Sequence, residues 1–126
     1  MRSAQLFIFI FALSGLAACT TQQVDPTADI PTQSYQTDVA PIISANCALA
    51  SGCHGAGSGE QAPLLTYTDL MQYCDVKAGK PHDSKLYRVI RQLSGESAMP
   101  PKPNASLSDE QIAIIYVWIL QGARNN

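Results

Sequence analysis

The sequence predicts an all-α domain of about four short helices. Apolar residues recur at helical spacing in separate stretches, and Ser, Thr and Asp stand where helix N-caps are needed. No segment alternates apolar with polar residues as a half-buried strand would. A chain of 126 residues has room for one small domain. Ten acidic and eight basic residues give a formal net charge of −2, too balanced to point to nucleic acid. A core this small needs reinforcement by disulfides, a metal or a cofactor.

Residues 1–18 have the form of a targeting signal. Arg2 supplies a positive start, and residues 6–13 form an apolar stretch well below membrane-spanning length. Leu16-Ala17-Ala18-Cys19 resembles the bacterial lipobox, in which Cys19 would be lipidated and become the mature N-terminus. An ordinary secretory signal cleaved after Ala18 is the plainer alternative. Residues 19–34, with Thr, Gln, Asp and two prolines, read as lipid anchor and flexible tether. The folded domain is expected over 35–124. Acyl chains would hold it to a membrane without spanning it, facing the periplasm from either membrane of the cell envelope. Cysteines in that compartment are free to be cross-linked.

Val39, Ile42, Ile43 and Asn46 predict a helix over 35–46, with Thr37 or Asp38 as its N-cap. Pro41 is tolerable only in its first turn, where the missing N–H has no partner to lose. Gly52, Gly55, Gly57 and Gly59 then predict a loop. Thr68 or Asp69 is expected to cap a short helix running to about Tyr73. After a loop over 77–83, Asp83 or Ser84 can cap a helix whose stripe is Leu86, Val89, Ile90 and Leu93. Pro100, Pro101 and Pro103 keep 94–106 irregular. The last helix has the strongest signature. Ser108 and Gln111 form a capping box, Leu107 and Ile112 a hydrophobic staple, and Gly122 a stop. Ile112, Ile115, Tyr116 and Ile119 make its buried face, while Trp118 and Leu120 extend its apolar character to a second side.

The chemistry concentrates in Asn46-Cys47-Ala48-Leu49-Ala50-Ser51-Gly52-Cys53-His54-Gly55. A cysteine followed directly by histidine, with another cysteine upstream, is the pattern of covalent haem attachment. The thiols add to the haem vinyl groups, and the next histidine binds the iron. The usual gap between the cysteines is two residues. Here it is five, and Ala50 stands where the first cysteine would be.

The order of parts resembles the small class I c-type cytochromes, in particular single-haem domains of bacterial envelope lipoproteins. The resemblance rests on Val39-Ala40-Pro41-Ile42-Ile43, Gly52-Cys53-His54-Gly55, Ser84-Lys85-Leu86-Tyr87, Met99-Pro100-Pro101, and Leu107 to Ile112 leading into Trp118-Ile119. It covers about residues 35–124. It implies a cytochrome c-like fold packed around one haem c and single-electron transfer rather than catalysis. By the same resemblance His54 and Met99 are the axial iron ligands, and Cys47 and Cys53 the thioether residues, with Cys53 the more secure. The implied partners are redox proteins of the envelope, with the membrane reached through the anchor alone. Neither nucleic acid nor a small-molecule substrate is expected.

Beyond Cys19, three cysteines remain: Cys47, Cys53 and Cys74. Two thioethers through Cys47 and Cys53 leave Cys74 unpaired in an oxidising compartment. One thioether through Cys53 allows a Cys47–Cys74 disulfide. Both arrangements fit the sequence.

Plainer readings stand beside these. The cysteines could staple a haem-free binding or structural module, or join His54 at a zinc ion. Met99 could be a core methionine, and His82 is a rival sixth ligand. Tyr67, Tyr87 and Trp118 could pack on a haem edge, but aromatics at helical spacing are commonly core. Lys77, Lys80, Lys85, Arg88, Arg91 and Lys102 could ring a docking face or simply be a solvated surface.

Overall fold

In a computed structural model, residues 30–49, 53–57, 62–93 and 95–126 are described. The signal segment, Cys19 and most of the expected tether lie outside them. Four α-helices are present: α1 (Ala40–Asn46), α2 (Tyr67–Tyr73), α3 (Lys85–Ile90) and α4 (Asp109–Leu120). A π-helical turn, Tyr35–Val39, runs directly into α1, and a 3₁₀ turn, Pro81–Asp83, precedes α3. No strand occurs among the described residues, so the all-α expectation holds.

The caps explain where the helices begin. Ser34, not Thr37 or Asp38, caps the first helical segment. It sits in extended backbone, its hydroxyl accepts from the Thr37 N–H, and the Asp38 carboxylate accepts the Ser34 N–H at 2.7 Å. For α2 the cap is Thr66 rather than Thr68 or Asp69. Asp69 instead fills the N3 position of a reciprocal capping box with Thr66. Ser84 precedes α3, but its buried hydroxyl accepts from the Lys77 N–H and donates to the Lys80 carbonyl, tying down the loop before it. Ser108 and Gln111 form the predicted capping box of α4. Pro41 lies in the first turn of α1, where it is harmless.

Val39, Leu70, Ile115, Trp118 and Ile119 are fully buried and define the core. Side chains of this size contribute roughly 1.5–3 kcal/mol each when removed from water. Leu86, Val89 and Ile90 bury the inner face of α3. Leu93 does not continue that stripe. The helix ends at Ile90, Gln92 turns the chain with a φ of 54°, and Leu93 is left exposed.

At one end of the molecule Tyr35, Tyr67 and Trp118 meet, with ring centroids 5.2 to 6.3 Å apart. The Tyr67 hydroxyl donates to the Ala123 carbonyl at 2.8 Å, and the Trp118 indole N–H to the Arg124 carbonyl at 2.9 Å. These aromatics are therefore core where the first and last helical segments join. The chain before Ser34 is held there too. Gln121 accepts the Gln33 N–H at 2.9 Å and donates to the Pro31 carbonyl at 3.2 Å. The end of the expected tether is thus part of the folded unit.

Candidate metal centre

The residues that carry the candidate chemistry lie in loops. His54 follows the cysteine loop, and its backbone is fixed on both sides. Its N–H donates to the Cys47 carbonyl at 2.9 Å, and its own carbonyl accepts from the Leu64 N–H at 2.8 Å. The first of these bonds brings Cys47 beside Cys53 and His54 despite the long gap between the cysteines. Gly55 is required by the same packing. A Cβ there would stand 2.6 Å from the Leu49 carbonyl oxygen and 2.9 Å from that of Ala48, closer than real contacts allow.

The His54 ring is also oriented. Its Nδ1 lies 2.7 Å from the Ala62 carbonyl, which can only accept, so Nδ1 carries the proton and donates it. Nε2 is left with its lone pair for a metal. The Ala62 carbonyl was invisible in the sequence, because a backbone acceptor has no side-chain signature.

Met99 reaches the site from the proline-rich loop. Its N–H donates to the Val89 carbonyl of α3 at 3.1 Å. Arg88 steadies the start of that loop by pairing with Glu96 at 2.8 Å while donating to the Asp83 carbonyl at 2.9 Å. This basic residue serves the interior arrangement rather than a docking ring. Arg91 and Lys77 also face carboxylates, Asp109 at 3.6 Å and Asp75 at 3.4 Å.

Two adjoining cavities share His54 and Met99 in their walls. One, of about 150 Å³, is also lined by Cys47, Cys53, Pro100 and Pro101. The other, of about 400 Å³, is also lined by Leu64, Tyr73, Cys74, Leu86 and Val89. The smaller is mostly apolar, whereas Lys85, Glu96 and Ser97 add polar groups to the larger, and a cleft of mixed walls with convergent polar groups suits a cofactor. His82 lines neither. It packs edge-on against Tyr87 and Tyr116, with centroids 5.2 and 5.7 Å away.

Cys47, Cys53 and Cys74 are free thiols, each half-buried. Burial pushes the Cys47 thiol up to about 11, with Cys53 adding to the effect. Burial pushes Cys74 up to about 12, Cys47 adding to it and Lys85 opposing it. Both therefore stay protonated near neutral pH. Among the described residues no group of three or more His, Cys, Asp or Glu side chains converges as a metal ion requires. The zinc alternative has no assembled ligand set, whereas a covalent prosthetic group needs only one histidine and the thiols.

Residues 36–119 match the family model described as "Cytochrome C oxidase, cbb3-type, subunit III". The chain belongs to this family of c-type cytochrome domains. No characterised protein and no solved structure matches it closely enough to count as a relative. Membership gives the cytochrome c-like fold, a covalently bound haem c and haem-based electron transfer. It also implies redox partner proteins. The residues fit that group. The cavity wall holds thiols, an imidazole proton-fixed at Nδ1 and a thioether, side-chain types that can bond to haem c or its iron.

Proposed function

We propose that this cytochrome domain is a single-electron carrier whose one haem c is bound by His54 on one side and Met99 on the other. The observation that carries the reading is that these two side chains, 45 positions apart in sequence, line the same two cavities. The iron and porphyrin supply the one-electron couple. His54 contributes a lone pair on Nε2, held in that tautomer by the Ala62 carbonyl. Met99 contributes a soft sulfur, which favours the reduced iron and a higher potential. Leu64, Leu86, Val89 and the prolines keep water from both ligands. Cys53 provides the covalent bond. Cys47 has two available partners, a haem vinyl group and Cys74.

The proposal extends to residues outside the described part. Residues 1–18 act as a lipoprotein signal, and Cys19 carries the acyl chains. The domain is then tethered to a membrane of the bacterial envelope, exchanging electrons with larger redox proteins and turning over no small-molecule substrate. No described helix is long and apolar enough to cross a membrane. Cys19→Ala is expected to move the protein from the membrane fraction to the soluble fraction. Retention in the membrane would contradict the anchor.

Producing the chain with haem-attachment machinery tests the core of the reading. Haem should survive a denaturing gel, and the reduced protein should show a sharp α band that appears and disappears reversibly in a one-electron titration. A colourless, fully folded domain would favour the haem-free, disulfide-stapled module instead.

A further inference from the structure

The three thiols divide two to one. Cys47 and Cys74 pack against the hydrophobic core, and Cys53 is not among the side chains packed there. Each of the first pair occupies the C-cap of a helix, Cys47 at the end of α1 and Cys74 at the end of α2. Each is anchored by its own N–H, to the Ile43 carbonyl at 2.8 Å and to the Leu70 carbonyl at 3.1 Å. They are thus on fixed helix ends, while Cys53 belongs to the loop between. Their chambers adjoin through His54 and Met99.

We propose that Cys47 and Cys74 are joined by a disulfide in the mature protein and that Cys53 alone holds the haem. The inference rests on the haem reading above and assigns every cysteine a role. In forming the bridge each thiol loses one proton and one electron. The pair of electrons reduces a disulfide-bearing oxidant to its dithiol through exchange. At Cys53 the S–H adds across one vinyl double bond, forming an S–C bond and placing the hydrogen on the neighbouring carbon. The second vinyl group stays unsaturated. The bridge closes both ends of the segment that carries Cys53 and His54, so the loop is restrained where its gap is longest.

Mass mapping of the haem-loaded full chain, alkylated under denaturing conditions without reductant, tests this. The expected result is a linked pair of peptides containing Cys47 and Cys74 that separates on reduction, no alkylation of either, and haem on the Cys53 peptide alone. The α band of the denatured haem should also lie at longer wavelength than that of a doubly attached haem, because one vinyl remains in conjugation. An alkylated Cys74 with haem bonded to Cys47 overturns the proposal. Cys74→Ala adds a second test. It should keep haem on Cys53 and leave Cys47 either alkylatable or bonded to haem, and an unaltered Cys47 peptide overturns the bridge. If no haem is attached at all, the function proposed above fails. The bridge is then judged on the same map, which must still show the Cys47–Cys74 link.

Discussion

Two regions of this domain are made differently. The end where the first and last helical segments meet is a dry aromatic joint of Tyr35, Tyr67 and Trp118, closed by hydrogen bonds to the Ala123 and Arg124 carbonyls. The haem end is a set of loops hung from helix ends, with glycine and proline where a packed core would have leucine. The first holds itself together through burial. The second has open cavities around His54 and Met99, where the proposed haem would supply a packing partner. Stability and the proposed haem binding are therefore carried by different residues, and substitutions should separate them.

The largest effect should come from the haem end. His54→Ala removes the only imidazole lining the two described cavities, and the low-spin spectrum of the reduced protein should be lost entirely. A low-spin spectrum surviving intact would break the comparison, since another residue would then be the ligand. Next comes the aromatic joint. Trp118→Ala should cost about 3–5 kcal/mol, read by denaturant unfolding of the haem-loaded protein, with the α band of the folded fraction unmoved. Gly55→Ala should be felt at the haem end in both readouts. The new methyl meets the Leu49 and Ala48 carbonyls, so about 1–3 kcal/mol should be lost and haem loading should fall. Ser108→Ala removes one half of the α4 capping box and should cost only about 1 kcal/mol, with no spectral change. A spectral shift in that variant would mean that the two ends are more tightly coupled than their packing shows.

What was legible in the sequence follows the same division. Elements fixed by local chemistry were found correctly: the capping box at Ser108 and Gln111, Pro41 in a first turn, and the apolar faces of α3 and α4 apart from Leu93, which lies exposed past the helix end, and Tyr116, which is only half-buried while Trp118 is buried. The errors in caps are small and share a cause. Ser34 and Thr66 were passed over because several Ser, Thr and Asp residues stand nearby, and only extended backbone selects the one that caps. Family resemblance alone paired His54 with Met99, and the structure places both in the walls of the same two cavities. Their supports were not legible. The Ala62 carbonyl that fixes the His54 tautomer belongs to the backbone, and the Arg88–Glu96 pair depends on a turn in three dimensions that no periodicity encodes. The closeness of Cys47 to His54 was hidden for the same reason, since it rests on the backbone hydrogen bond from the His54 N–H to the Cys47 carbonyl.

Met99 offers the most direct test of the His/Met centre. The oxidised wild-type protein should show the weak long-wavelength band that arises from charge transfer between methionine sulfur and ferric iron. In Met99→Ala that band should vanish and the potential should fall, while haem stays covalently attached. A variant with an unchanged spectrum and potential would show that Met99 does not bind iron, and the His/Met centre would have to be abandoned.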